Sequence, residues 1–139
     1  MSSLFLDTNA YSEFTRGRAD AVRLLNAATQ VWVSTIVLGE LRYGFANGSQ
    51  TESNEIWLSQ FLESPHVSVV SISESTSRYY ALICRQLRVD GKPIPSNDIW
   101  IAASAIEHDC PLFTFDAHMR RVKALKVVSD ETDWIALNS

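Results

Sequence analysis

The sequence predicts an α/β fold, a three-layer α/β/α domain whose central parallel sheet has four to five short strands. Short apolar runs alternate along the chain with longer segments of helical periodicity, a pattern typical of a parallel sheet covered by helices on both faces. In such folds the crossovers are right-handed and ligands bind beyond the carboxyl ends of the strands. The length of 139 residues fits one domain, and we expect residues 1–139 to form it.

The first strand is an apolar run at residues 3–6, and Thr8 is placed to cap the helix that Gly17 ends. A second helix is predicted over residues 19–28 from its apolar stripe, and a short buried strand follows at 31–33. Two further helices have an apolar face and a clear start or stop signal: residues 36–46, which end at Asn-Gly, and residues 51–62, which follow capping-box spacing at 49–52.

The second half of the chain repeats this alternation. A strand is predicted at residues 67–72, a helix from Ser73 to about residue 89, and a loop at residues 90–95. Ser96 is expected to cap a helix over residues 97–108. The last elements are short: strands at 112–115 and 127–129, with a basic turn of helix between them and a tail containing Trp134.

Composition excludes several classes of protein. A net charge of −4 argues against a domain that binds nucleic acid through its overall positive charge. Basic residues nevertheless outnumber acidic ones between positions 78 and 126, so a local basic surface stays an alternative. Cys84 and Cys110 lack paired spacing, so neither a disulfide framework nor a zinc site is expected. The N-terminal apolar run is too short for a signal peptide and no stretch suits a membrane span, so we expect a cytoplasmic protein.

Four acidic residues from distant parts of the chain are expected to meet at one edge of the sheet. Asp7 and Asp116 directly follow predicted strands, and helix N-termini lie at the same edge as strand carboxyl ends. Asp98 lies in the first turn of its helix. Glu40 lies one and a half turns into its helix, but helical side chains lean toward the helix N-terminus, so Glu40 points back to that edge.

Each acid alone has an ordinary structural explanation as a turn residue, a helix former or a cap. Their shared edge favours a functional site instead. Two carboxylates about 4 Å apart repel by roughly 4 kcal/mol at an effective dielectric near 20, so either some acids take up protons or a cation fills the site. An all-oxygen cluster fits Mg²⁺ or Mn²⁺, which are typical of phosphate chemistry.

Four segments around these acids resemble the motifs of the PIN-domain family, and within it the VapC-type toxin ribonucleases of type II toxin–antitoxin systems. They are Leu-Phe-Leu-Asp-Thr-Asn at 4–9, Val-Ser-Thr-Ile-Val-Leu-Gly-Glu-Leu-Arg-Tyr-Gly at 33–44, Ser-Asn-Asp-Ile-Trp-Ile-Ala-Ala at 96–103 and Leu-Phe-Thr-Phe-Asp at 112–116. Order and spacing agree over essentially the whole chain. The turn at 107–111 departs from the family pattern, in which glycine often precedes the fourth strand.

The resemblance implies an endoribonuclease that hydrolyses phosphodiester bonds in RNA and inhibits translation, with tRNA as one candidate substrate and Mg²⁺ or Mn²⁺ as the cofactor. The three aspartates would hold the metal directly, and Glu40 would act near it, through water or as a base. Asn9 and Thr114 match polar positions that support the acids by hydrogen bonding. The family further implies a homodimer and a small antitoxin protein that lays its C-terminal segment in the active-site groove.

Arg85, Arg88 and Lys92, at a helix end and in the loop before Asp98, are candidates for binding RNA phosphates. A solvated helix end whose charge suits the helix dipole explains them equally well.

Two functions other than a nuclease are alternatives for this sequence. A haloacid-dehalogenase-like phosphatase would need a second aspartate where this chain has Asn9. A catalytically silent PIN-like module, acting through protein or DNA binding with its antitoxin partner, would leave RNA intact.

Overall fold

The computed structural model describes residues 2–139, which form a five-stranded parallel sheet between layers of helices. The strands are β1 (Ser3–Leu6), β2 (Gln30–Ser34), β3 (Val67–Val70), β4 (Leu112–Phe113) and β5 (Val127–Val128). The helices are α1 (Thr8–Thr15), α2 (Ala19–Ala27), α3 (Thr35–Ala46), α4 (Thr51–Glu63), α5 (Glu74–Asp90), α6 (Ser96–Glu107) and α7 (Glu131–Leu137), and a 3₁₀ helix covers Ala117–Arg121. The predicted α/β/α fold is confirmed.

The sheet has the strand order β3-β2-β1-β4-β5, and every neighbouring pair is parallel. The chain starts in the middle of the sheet, builds outward through β2 and β3, and then returns to the other side of β1 with β4. The strand order therefore reverses between β1 and β4. In doubly wound folds the crevice at this reversal, outside the carboxyl ends of the strands, is where ligands bind.

The core explains why the strands are short apolar runs without polar alternation. Leu4, Phe5 and Leu6 of β1 are completely buried, as are both residues of β4. A parallel strand covered by helices on both faces buries every side chain. Among residues 2–139, no helix has the length and apolar character needed to cross a membrane.

Several predicted ends differ from the structure because side chains take over backbone hydrogen bonds. Asp7, and not Thr8, is the N-cap of α1. The predicted strand at 112–115 ends at Phe113, since the Phe115 N–H donates to the Asn9 side chain rather than to a strand. The predicted capping box at 49–52 was also wrong, because α4 begins without a side-chain cap.

Two further predictions, near Ser96 and in the tail, are corrected. Ser96 is the first residue of α6 and follows Pro95, so it does not act as the cap. The tail that contains Trp134 was not assigned an element, but it forms α7. Asp130 caps α7 by accepting from the Asp133 N–H at 2.8 Å.

Candidate active site

Asp7 and Asp116 lie on either side of the point where the strand order reverses. Asp7 directly follows β1, and Asp116 comes three residues after the last residue of β4. The two strands are parallel neighbours, and the Asp7 N–H donates to the Phe113 carbonyl at 3.0 Å. This pairing carries both acids to the same edge of the sheet.

Hydrogen bonds hold Asp7 in a buried position, where its side chain is only 3% exposed. Its Oδ1 accepts from the Thr8 N–H at 2.8 Å, and its Oδ2 accepts from the Thr114 hydroxyl at 2.7 Å. Burial is the main reason that the pKa of Asp7 is raised above its ordinary value, and both hydrogen bonds oppose the rise. The negative charges of Glu40 and Asp116 raise the pKa further.

Asn9 and Thr114, the two polar residues that the sequence singled out, connect Asp7 to Asp116. The Thr114 hydroxyl donates to Asp7 and accepts from the Asp116 N–H at 3.0 Å, and it lies 3.1 Å from Asn9 Nδ2. Asn9 Oδ1 accepts from the Phe115 N–H at 2.8 Å. Because Thr114 is fully buried, water cannot replace these bonds if the hydroxyl is removed.

Thr114→Val is expected to lower the free energy of unfolding by about 1–3 kcal/mol, because a buried carboxylate and a backbone N–H lose the same partner. Thr114→Ser retains the hydroxyl and is expected to cost clearly less than the valine variant. Urea denaturation at pH 7.5 measures both changes. Equal stability of the valine variant and the wild type would show that the network does not hold Asp7 and Asp116 in place.

Glu40 is held at this edge by two polar side chains from other helices. It lies on the second turn of α3, which begins directly after β2. Its Oε1 accepts from the Thr8 hydroxyl at 2.5 Å, and its Oε2 accepts from Asn97 Nδ2 at 3.4 Å. Helices α1, α3 and α6 therefore converge on one carboxylate, although their residues lie up to 89 positions apart in the chain.

Asp98, in the first turn of α6, experiences the strongest electrostatic conflict at the site. Its pKa is raised from 3.8 to about 6. Burial is the largest cause, followed by the negative charges of Asp7, Asp116 and Glu40 in that order. The imidazole of His118 partly opposes the rise. The four acids thus act on one another electrostatically, as side chains in one shared site would.

Three of the four acids open onto a cleft of about 770 Å³. Asp7, Glu40 and Asp98 belong to its lining, together with Ile36, Gly39 and Tyr43 from one face of α3. Asp116 lies outside this lining, with a third of its side chain exposed. Its Oδ1 accepts from the His118 N–H at 2.9 Å, and the His118 ring lies 3.5 Å away.

The donor set fits a hard divalent cation. In the part of the chain that the structure describes, no three Asp, Glu, His or Cys side chains stand close enough to coordinate one ion together. Mg²⁺, however, keeps several waters and uses only one or two carboxylates. Burial and neighbouring charge disfavour Asp98 as a lone anion, so a cation beside it relieves that conflict. Direct coordination by all three aspartates stays a prediction, and it requires these side chains to come closer together.

Arg85, Arg88 and Lys92 lie on exposed surface at the end of α5 and in the loop that follows. Among residues 2–139, the lining of the acidic cleft includes none of the three. Gly91, with φ of 64°, ends α5 and turns the chain back toward α6 and Asp98. RNA binding by these three basic residues stays a prediction.

Sequence reasoning missed Thr8, Asn97 and Tyr43 as parts of this site. Thr8 looked like a helix cap, and its contact with Glu40 crosses 32 positions of chain. Asn97 stands next to an acid that already drew attention, and Tyr43 lies one helical turn after Glu40. Helical spacing from Glu40 was the available signal for Tyr43, whereas the contact between Thr8 and Glu40 has no signal in local spacing.

The sequence matches the PIN domain family over residues 4–125, a range that contains all four acids. Ribonuclease VapC4 of Mycobacterium tuberculosis is 30% identical over 123 residues, which cover 88% of this chain and 93% of that protein. Ribonuclease VapC2 of Rickettsia felis is 30% identical over 113 residues, 78% of this chain and 83% of that protein.

The fold is also similar to a solved complex, VapBC2 from Rickettsia felis bound to a DNA fragment from their promoter. The alignment has a TM-score of 0.81 at 25% sequence identity, and it covers 91% of this chain and 97% of the matched chain.

Proposed function

The chain belongs to the PIN-domain family and to its VapC ribonucleases, and from this premise we propose that it is a Mg²⁺- or Mn²⁺-dependent endoribonuclease, the toxin of a toxin–antitoxin pair. Its proposed catalytic residues are Asp7, Glu40, Asp98 and Asp116. Residues 1–139 are proposed to act as a single nuclease domain. The substrate is RNA, with tRNA as one candidate, and its cleavage inhibits translation.

The observation that carries this proposal is the placement of the acids: Asp7 and Asp116 follow neighbouring parallel strands, and Glu40 and Asp98 line the same cleft as Asp7. Burial and the charges of the other acids raise the pKa of Asp98, which is consistent with this placement. A fold without a function for these charges has no reason to place them together, because their mutual repulsion costs stability. A divalent cation would offset the repulsion and would supply the positive charge that phosphodiester hydrolysis needs.

In this proposal Asp7, Asp98 and Asp116 hold the metal, which when bound polarises the attacking water and neutralises charge on the phosphoryl oxygens. The chain's own residues fix the geometry. Asp7 is oriented by Thr114 and by the N-terminus of α1. Glu40, held by Thr8 and Asn97, would accept a proton from the attacking water.

The antitoxin is proposed to block the active-site groove by binding in an adjoining second cleft, the aromatic groove, which has a volume of about 700 Å³. The aromatic residues of its lining are Tyr11, Phe14, Phe45 and Trp57. The groove shares Thr8 and Glu40 with the acidic cleft. An apolar C-terminal segment of the antitoxin in this groove would therefore reach the acids and block them.

A homodimer is also part of the proposal, and exposed Leu82 and Val89 on α5 offer it apolar surface.

Purified protein with Mn²⁺ is expected to cut bacterial RNA at discrete sites, and EDTA is expected to abolish the cleavage. Sequencing of the new 5′ ends after brief incubation identifies the RNA and the cut sites. Asp20→Asn on α2, outside both clefts, serves as the control for loss of a surface carboxylate and should cleave like the wild type. Intact RNA after incubation of the wild type with Mn²⁺ would contradict the nuclease proposal and favour the catalytically silent binding module.

A further inference from the structure

Tyr43 is the most exposed tyrosine among residues 2–139. Its side chain is 72% exposed, and among residues 2–139 it makes no hydrogen bond or aromatic contact. Tyr11 packs edge-to-face against Phe61, Tyr80 stacks on Trp100, and Tyr79 is partly buried against the core. A single exposed apolar side chain is ordinary on a protein surface, but the Tyr43 ring lines the same cleft as Asp7, Glu40 and Asp98.

Tyr43 forms one wall of the acidic cleft. It shares a face of α3 with Ile36, Gly39 and Glu40, all of which line the same space as Asp98. Gly39 is exposed, and a Cβ built there would meet nothing within 4 Å. The wall between Ile36 and Tyr43 is therefore open and flat, and it stands directly beside the carboxylates.

The aromatic groove uses a different side of the same helix. Its α3 residues are Leu41, Gly44 and Phe45, with Glu40 at the boundary between the two clefts. At about 100° per residue, these positions lie roughly a quarter to half a turn of the helix away from Tyr43. Tyr43 thus faces the acids and not the surface assigned to the antitoxin.

We infer that Tyr43 stacks on the base of a nucleotide adjacent to the scissile phosphate, an inference that rests on the proposed ribonuclease function. Side chains three positions apart on a helix are about 5–6 Å apart, so a phosphate held beside Glu40 and Asp98 places a neighbouring base at the Tyr43 ring. Only an unpaired base can offer its face to an aromatic side chain. The cleft therefore takes single-stranded or loop RNA.

The test uses short RNA oligonucleotides that span a mapped cut site, in which each nucleotide flanking the cut is replaced in turn by an abasic ribose. For the wild type, one abasic position is expected to lower kcat/KM roughly 5- to 150-fold. Tyr43→Ala is expected to lower kcat/KM on the intact RNA by a similar factor, mainly through KM, and to lose sensitivity to that abasic position. Tyr43→Phe and Tyr43→Trp should retain it.

Ile135→Ala on α7, which removes a comparably exposed apolar side chain, should behave like the wild type. Cleavage by Tyr43→Ala at the wild-type rate overturns the inference. This holds also if the variant cleaves normally and differs only in escaping inhibition by an antitoxin, because Tyr43 would then contact the antitoxin and not the RNA. A weaker Tyr43→Ala enzyme that keeps its full abasic sensitivity also overturns it. Absence of cleavage by the wild type removes the proposed function and this inference together, so the two failures are distinguishable.

Discussion

Asp98→Asn is expected to lower RNA cleavage by roughly 10³-fold and, without metal, to raise the melting temperature of the protein at pH 7.5. Both changes have one cause, the charge of a carboxylate that burial and three neighbouring acids disfavour. Asparagine has nearly the same shape but no charge, so it cannot hold a divalent cation in the same way. Cleavage assays with Mn²⁺ measure the first change, and thermal unfolding in EDTA measures the second.

The sign of the stability change follows from the raised pKa of Asp98. A carboxyl whose pKa is about 6 in the folded protein and near 3.8 in the unfolded chain favours folding below pH 3.8, and this contribution is lost as pH rises through 6. Each pKa unit corresponds to about 1.4 kcal/mol, and because Asp98 is only partly buried, solvent screening reduces the loss at pH 7.5 to roughly 1–2 kcal/mol. Asp98→Asn removes this destabilising charge, and we therefore expect the melting temperature to rise by several degrees.

Asp20→Asn is the matched control, because Asp20 is a surface carboxylate paired with Arg23 at 3.1 Å. Such pairs contribute about 0–1 kcal/mol, so both cleavage and melting temperature should change little. A stability lower than that of the wild type for Asp98→Asn in EDTA would contradict the electrostatic account. Cleavage retained by Asp98→Asn would remove Asp98 from the catalytic set.

The second large effect is the pH dependence of Mn²⁺ binding, whose affinity is expected to fall about 30-fold between pH 7.5 and pH 4.5. Metal ligands must be deprotonated, and below the pKa of Asp98, about 6, each pH unit lowers the ionised fraction about tenfold. The raised pKa of Asp7 acts in the same direction. Calorimetric titration at several pH values measures the dependence. An affinity that does not change over this range would show that neither carboxyl binds the ion.

The placement of the four acids near one edge of the sheet could be predicted because it depends on the order of elements, whereas a shared metal site stays a prediction. Asp7 and Asp116 follow strands that any parallel sheet carries to one edge, and the N-terminus of α6 brings Asp98 there. Glu40 could be included because helical side chains lean toward the N-terminus of their helix. These inferences tolerate errors of a residue or two in the strand ends. The predicted edge for Asp116 was therefore unaffected by the error in the end of β4.

Contacts between distant side chains could not be predicted in the same way. The bond from Thr8 to Glu40 and the bond from Asn97 to Glu40 depend on how three helices pack, which local spacing does not encode. The tail was left unassigned because α7 has only seven residues and depends on the Asp130 cap and on packing against α2 and β5. The exposure of Tyr43 likewise became visible only once its neighbours were in place.

Titration of the metal-free protein with Mn²⁺ at pH 7.5 tests most directly whether the buried carboxylates form a cation site. The wild type is expected to bind the ion saturably, to gain thermal stability as it does so, and to lose both responses in Asp98→Asn but not in Asp20→Asn. No detectable binding by the wild type at millimolar Mn²⁺, or equal binding by Asp98→Asn, would contradict the account.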